Sequence, residues 1–458
     1  MCLHIFDTKI QKYLRENDFD DEKKRSINSI IKRCMNEEDI DELECVLTYV
    51  FENNKNINLK LKSEDNSNIL LYSINCKNDN IIRNLLDYSM RKKIYFDING
   101  QNDKKDYPLL KMTTFMKFNG LSINTINALN NYASKINTVL EINESNVNGE
   151  YPFLMDCESN STDMVNFLIE YAEKHNIKLK FNEVNEVTGK YPLLEAITNN
   201  NEKMVKILIH YADKLNITLD INSSDKDGYY PFIRAVQGNG IDIIKILIEY
   251  AANNNITLKY NEATNGNVYP LDYAFSNENI SMITFLLNYG KQQNTTLKMA
   301  TPPMSIEYPL FTICKNDKIE IAKILTKYAL EKDIKLSINY IDSSNFNAFL
   351  WAVISKNIEL IKLLIEYAKV ADIKLDFNNR NAYMQSPLLE ACINDETEIV
   401  KLCIDYINSN TISLNINLEN EDGYNLLNIG IYKKNQVILD FVFDYAEKKT
   451  VILILIEK

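Results

Sequence analysis

Three histidines, eight cysteines and a few carboxylates beside turns are the residues of this chain that could do chemistry. His4, His175 and His210 lie far apart. His175 and His210 fall at positions that other segments fill with Asn254, Glu249 or Lys327, so both read as solvated surface, not as metal ligands or general bases. The cysteines form no CxxC pair. Cys157, Cys314 and Cys392 occupy a position held elsewhere by Ile197, Val236, Phe275 and Val353, and Cys403 stands in for a leucine. A free thiol packs as a small hydrophobe, so these four read as core. Asp225, Asp227, Glu421 and Asp422 resemble calcium ligands only superficially and do not recur in every segment; they read as turn formers. The chain lacks GxxxxGK[ST], GxGxxG, HExxH and GxSxG. These residues imply no catalytic site, no cofactor and no metal, and the chain is not expected to be an enzyme.

Composition narrows the class further. Of 458 residues 45% are hydrophobic, too many for a disordered chain. Lys and Arg number 51 against 63 Asp and Glu, a net charge of −12, which repels phosphate backbones and argues against nucleic acid as a partner. With 11 Gly and 9 Pro, turn-rich β-sandwiches and glycine-rich phosphate-binding folds are improbable. The longest apolar runs, 348–354 and 451–456, are far shorter than the roughly 20 residues of a membrane span. The N-terminus has no basic stretch followed by an apolar one, so it does not read as a secretory signal. A cytoplasmic protein with reduced thiols is expected.

What must position any functional residue is a repeat. Tyr-Pro occurs at Tyr107-Pro108, Tyr151-Pro152, Tyr191-Pro192, Tyr230-Pro231, Tyr269-Pro270 and Tyr308-Pro309. The Pro slot holds Ile30 and Ile69 before these and Ala348, Pro387 and Leu426 after them, in steps of 39, 39, 44, 40 and then six of 39. A tyrosine follows each first anchor by 19 residues, from Tyr49 to Tyr445, except Tyr132, which lies 24 after Pro108. These tyrosines could be a ladder for stacking bases or sugars, but their regularity points to packing between units. Within one unit, Pro192 opens a short helix with Leu193, Ala196 and Ile197 on one face. Asn199-Asn200-Asn201 turns the chain into a second helix faced by Met204, Val205, Leu208 and Ile209. Leu219 and Ile221 alternate in an extended segment, and Asp225 to Gly228 forms a turn. Two short helices cannot bury their apolar faces alone, so the units must stack. The expected fold is all-α: a helix-turn-helix solenoid of about eleven units.

This pattern resembles the ankyrin repeat family. The likeness rests on the Pro-Leu opening of the first helix and on Ala196, Ala235, Ala274, Ala352 and Ala391. It rests also on Leu208, Leu247, Leu286, Leu325 and Leu364, on Asp220-Ile221-Asn222, and on the Asp-x-x-Gly of Asp225 to Gly228. It covers roughly residues 30–458. The departures are a period of 39 in place of the family's 33, Tyr for the family's Thr, and Leu194, Ile233 or Phe311 for its His. The family's Gly at the end of the second helix is Ala172, Ala212, Ala251, Ala329 or Ala368 here. Alanine continues a helix where glycine ends one, so the second helix should run on through Tyr-Ala-x-Lys.

The expected organisation is an N-terminal capping helix and linker over 1–29, carrying Ile10, Tyr13 and Leu14, then the array over 30–458. Five additional residues lie near 115–122. They are either a longer loop between two helices or a recognition finger carrying Phe115 and Phe118. Val451, Leu453 and Leu455 close the sequence without a polar cap, so the chain is either a fragment of a longer protein or ends in an apolar tail that docks on something.

The resemblance implies that partners bind a concave face made by the turn fingers and the first helices. The variable stations there lie five, four and two residues before each first anchor and six after it. In the C-terminal units they offer Phe346, Tyr383, Tyr424 and Tyr432, and Trp351, three after its anchor, replaces residues such as Glu195, Arg234 and Thr312. Trp and Tyr dominate interface hot spots, so these five are the candidate partner-binding residues, expected to be substantially exposed. The alternative is that they patch the surface or pack between units. The function expected is a protein–protein interaction scaffold, binding a partner whose rim is basic. The alternative is the non-catalytic recognition portion of a larger enzyme or ubiquitin-ligase assembly. The sequence does not identify the partner.

Overall fold

A computed structural model describes residues 27–116, 121–299, 309–394 and 396–455. Among them lie eleven consecutive helix pairs and no strand; a single isolated bridge joins Lys62 to Asn68. The chain divides into two compact units, Met1–Leu258 with six pairs and Lys259–Lys458 with five. The expected capping residues Ile10, Tyr13 and Leu14 fall outside the described residues. The first described helix is Ile27–Glu37, so with Ile30 in the Pro slot the helix starts three residues earlier than the slot.

Each pair follows from its local sequence. Pro192 is the first residue of the helix Pro192–Thr198, where a missing N–H costs nothing, and Leu193, Leu194, Ala196 and Ile197 are all buried. Asn200 takes the left-handed conformation with φ 51°, and the side chain of Asn201 caps the second helix by accepting from the Met204 N–H. Asn279, Asn357 and Asn435 cap their helices in the same way. The second helix, Glu202–Lys214, runs through Tyr211-Ala212-Asp213-Lys214 as the Gly-to-Ala departure requires, and Asn216 then turns the chain at φ 53°. Among the described residues, 12 of the 25 non-glycine residues with positive φ are Asn, whose short polar side chain tolerates this region. Asparagine is thus the commonest residue at these described turns.

The second-helix leucines Leu208, Leu247, Leu286, Leu325 and Leu364 are buried, as are the alternating Leu219 and Ile221 of the extended segment. Cys157, Cys314, Cys392 and Cys403 are buried among them, filling the core as their positions suggest.

Two polar devices join consecutive pairs, and neither is apparent from apolar periodicity. In the first, the second-anchor tyrosine reaches back to the preceding pair. The hydroxyl of Tyr367 accepts from the Leu336 N–H at 2.8 Å and donates to the Ile334 carbonyl at 3.0 Å. Tyr406 repeats this with Leu375 and Ile373, and Tyr445 with Leu414 and Ile412. In the first unit Tyr88, Tyr171 and Tyr250 accept from the N–H groups of Ile57, Leu140 and Leu219. Each bond satisfies a buried backbone donor of an extended segment that has no sheet to pair with. In the second device, an asparagine amide acts like a peptide group. Asn378 donates to the Ser413 carbonyl at 2.7 Å and accepts from the Asn415 N–H at 2.8 Å. Asn182, Asn339 and Asn417 each make the same two bonds with the following segment. The first-anchor tyrosines Tyr107, Tyr151 and Tyr191 are buried too, and donate forward to the carbonyls of Glu144, Glu183 and Ser223. These tyrosines are thus structural on both counts, by packing and by hydrogen bonding.

The irregular third pair keeps this scheme. Its first helix, Pro108–Met116, has 9 residues against 5 in Ile69–Ser73 and 7 in Pro152–Glu158, and its second is Ile123–Lys135. Phe118 lies outside the described residues. Phe115 sits on the first helix with the ammonium groups of Lys77 and Lys111 at 4.9 and 5.4 Å from its ring centroid. Tyr132, despite its odd spacing, still accepts from the Phe96 N–H at 2.9 Å.

Between pairs the chain forms a finger closed by one side chain. Asp342 accepts from the N–H groups of Ser344 and Phe346, both at 2.9 Å, and Asn381 accepts from those of Tyr383 and Gln385. Asp225 does the same for Asp227 and Tyr229, which makes it the turn former its position suggests. Backbone bonds tie adjacent fingers together, with Ala382 N–H donating to the Ser344 carbonyl at 2.9 Å.

Candidate partner-binding site

In five repeats the finger and first helix bring two positions into contact: the residue two before the first anchor and the one three after it. What joins them differs from repeat to repeat. Asp106 and Lys111 form an ion pair at 3.2 Å, and Lys190 and Glu195 one at 3.5 Å. Burial pushes the Glu195 carboxyl up, against the opposing pull of Lys190. Arg234 lies over Tyr229, its guanidinium carbon 3.5 Å from the ring centroid, while its NH2 group pairs with Asp225 at 2.9 Å. In the second unit the same positions hold Phe346 and Trp351, stacked at 4.3 Å with planes 13° apart. One repeat on, Gln385 donates to Glu390 at 3.1 Å.

Phe346 is therefore not exposed as expected: it is 7% accessible. The finger turns its ring under the indole, and Trp351 covers one face while Tyr383 meets it edge-on at 6.1 Å. Trp351 itself is half-buried, and its Nε1–H is shut off from solvent without a hydrogen-bond partner. Tyr383 is 56% exposed. These three of the five candidates come together.

They line a groove of about 520 Å³ between two repeats of the second unit. Its aromatic wall is Phe346, Trp351 and Tyr383, and Ile354 and Ile393 extend it from the position six residues after each first anchor. The other wall is polar and acidic. Glu390 is buried, its two carboxylate oxygens accepting from Gln385 and Asn394. Glu421 and Asp422 are exposed on the next finger, beside Asn420. Variable stations of neighbouring repeats thus converge on one groove. The two acidic residues read as turn formers belong to its rim, which only the juxtaposition of neighbouring fingers reveals. Tyr424 is half-buried and Tyr432 is 77% exposed; neither lines the groove.

Elsewhere the reactive side chains are held inert or apart. Burial pushes the thiols of Cys157, Cys314 and Cys403 up, that of Cys403 to about 12, so they stay protonated at neutral pH. His175 packs on the Tyr171 ring at 4.3 Å, and His210 is exposed. Among the described residues no group of His, Cys, Asp or Glu is placed to hold a metal ion, and no helix is long and apolar enough to cross a membrane.

Helix pairs stacked through their first and second helices, with fingers between them, define a helical repeat protein. Comparison with known proteins names the repeat over part of the chain: residues 122–219 and 214–297 match the family model for ankyrin repeats. One similar solved structure is the crystal structure of the ankyrin repeat domain of Bcl-3, described as a unique member of the IkappaB protein family. It is 15% identical, with 56% of this chain and 99% of that chain covered and a TM-score of 0.34. No curated protein sequence matches the chain.

Proposed function

We propose that this chain is a protein-interaction scaffold without catalysis of its own, and that the groove lined by Trp351 and Tyr383 is where a protein partner docks. Ankyrin repeats are in general protein–protein interaction modules. The observation that carries the reading is the convergence of the variable stations of neighbouring repeats on one aromatic and acidic groove. A half-buried Trp and an exposed Tyr supply large contact area with few rotatable bonds, the property of interface hot spots. The described cysteines form no disulfide, which supports a reducing compartment such as the cytoplasm.

The test is quantitative affinity purification from native extract with the full chain and with Trp351→Ala and Tyr383→Ala, circular dichroism confirming that each variant is folded. Both variants are expected to lose the same partner. Retention of every native partner by both would overturn the reading.

A further inference from the structure

We propose that the groove receives an arginine side chain of the partner; this rests on the reading of the groove as the docking surface. The argument is one of complementarity. Trp351 and Tyr383 offer aromatic surface, Glu421 and Asp422 stand exposed at the rim, and no residue lining the groove is cationic. Glu390 has both oxygens engaged by Gln385 and Asn394, so the charge left for a ligand is that of the two rim carboxylates. The only basic residue on these fingers, Arg380, donates instead to the Glu419 carbonyl. An aromatic face beside unneutralised carboxylates attracts a cation.

The same chain shows what such a pocket holds. In another repeat the guanidinium of Arg234 lies 3.5 Å from the ring centroid of Tyr229 and pairs with Asp225 at 2.9 Å. Trp351 occupies the station of Arg234 and Phe346 that of Tyr229, so this repeat holds two rings where the other holds a ring and a cation. The partner supplies the cation. Arginine fits better than lysine because its planar fork stacks on rings and engages carboxylates through two parallel bonds, whereas an ammonium is a compact, strongly hydrated point charge.

Trp351 is the only tryptophan, so its fluorescence reports on the groove directly. The full chain is titrated with an acetylated, amidated peptide Gly-Ala-Arg-Ala-Gly, and with counterparts carrying lysine or the uncharged isostere citrulline. The arginine peptide is expected to give a saturable change, with binding about tenfold weaker for each counterpart. The double variant Glu421→Gln, Asp422→Asn, whose changes lie on an exposed rim, is expected to weaken the arginine peptide by a similar factor. Equal binding of citrulline would overturn the role of charge, and equal binding of lysine the choice of guanidinium. If the arginine peptide gives no change while Trp351→Ala and Tyr383→Ala still lose a native partner, the docking surface stands and this inference fails. If neither happens, both fail.

Discussion

Trp351 stacks on Phe346 at 4.3 Å in the place where, in another repeat, Arg234 lies over Tyr229 at 3.5 Å. In five repeats the two stations act as a pair, joined by ion pairs, a cation–π contact, an aromatic stack or a hydrogen bond. A change at one station is therefore felt at the other, and the aromatic character of this repeat belongs to the pair. Covering Phe346 leaves one face of the indole for the groove.

This pairing predicts energetic coupling. In a double-mutant cycle with Phe346→Ala and Trp351→Ala, each measured by urea denaturation, the coupling should be about 1 kcal/mol, the usual worth of an offset aromatic pair beyond its buried area. Additive losses would show that the stack contributes nothing specific.

The second-helix leucines carry the core. Leu208 is 1% exposed and repeats at Leu247, Leu286, Leu325 and Leu364. Leu208→Ala should cost roughly 2 to 5 kcal/mol, read from chemical denaturation. Because contacts in such arrays are made between neighbours, the loss should concentrate in the repeats on either side. A change within about 0.5 kcal/mol would place this leucine on the surface and refute the register.

The tyrosine hydroxyls predict a separate effect. Tyr367→Phe keeps the ring but strips the Leu336 N–H of its acceptor, a bond 2.8 Å long in the buried interior. A buried donor left unsatisfied costs about 1 to 3 kcal/mol. The amide of Leu336 should exchange with solvent faster than in the parent, while amides several repeats away keep their protection. Unchanged exchange at Leu336 would mean that the ring alone joins the repeats.

Most of the fold was legible because its signals are periodic. Tyr-Pro at one spacing, Leu208 and its equivalents, and alanine at the end of the second helix were enough to place both helices and the extended segment. The hydroxyl of Tyr367 was not legible, since a buried tyrosine reads as packing whether or not its oxygen has work to do. The asparagine ladder was visible in principle: Asn182, Asn222, Asn261, Asn339, Asn378 and Asn417 recur at one station, but they read as part of the Asp-Ile-Asn motif and not as a bonding device. At the groove, the stations were readable and the burial of Phe346 was not. Phe346 lies on a turn, where sequence suggests exposure, and it is buried by a partner five positions along the chain. Glu421 and Asp422 join the site only through the docking of one finger beside the next.

The oddest residue of the core yields the last prediction. Asp156 lies on the helix Pro152–Glu158 at the station that Ala196, Ala235, Ala274, Ala352 and Ala391 occupy elsewhere. It is fully buried, and neither carboxylate oxygen has a hydrogen-bond partner. Burial pushes its carboxyl well above the usual carboxylate range, so the folded chain holds it neutral. The unfolded chain ionises it at the ordinary value near 4. Below that value both states bind the proton and the group has no effect on pH dependence. Above it the unfolded state alone gives the proton up, so stability falls as pH rises until the folded group also titrates. Asp156→Ala replaces the group with the residue of five other repeats and should stabilise the chain at neutral pH by at least about 1 kcal/mol, the lower bound for an unsatisfied buried polar group. Denaturation at pH 4 and pH 7 should show the gain growing with pH. A gain equal at both values would mean that Asp156 is ionised in the folded chain, with a partner that stabilises its charge.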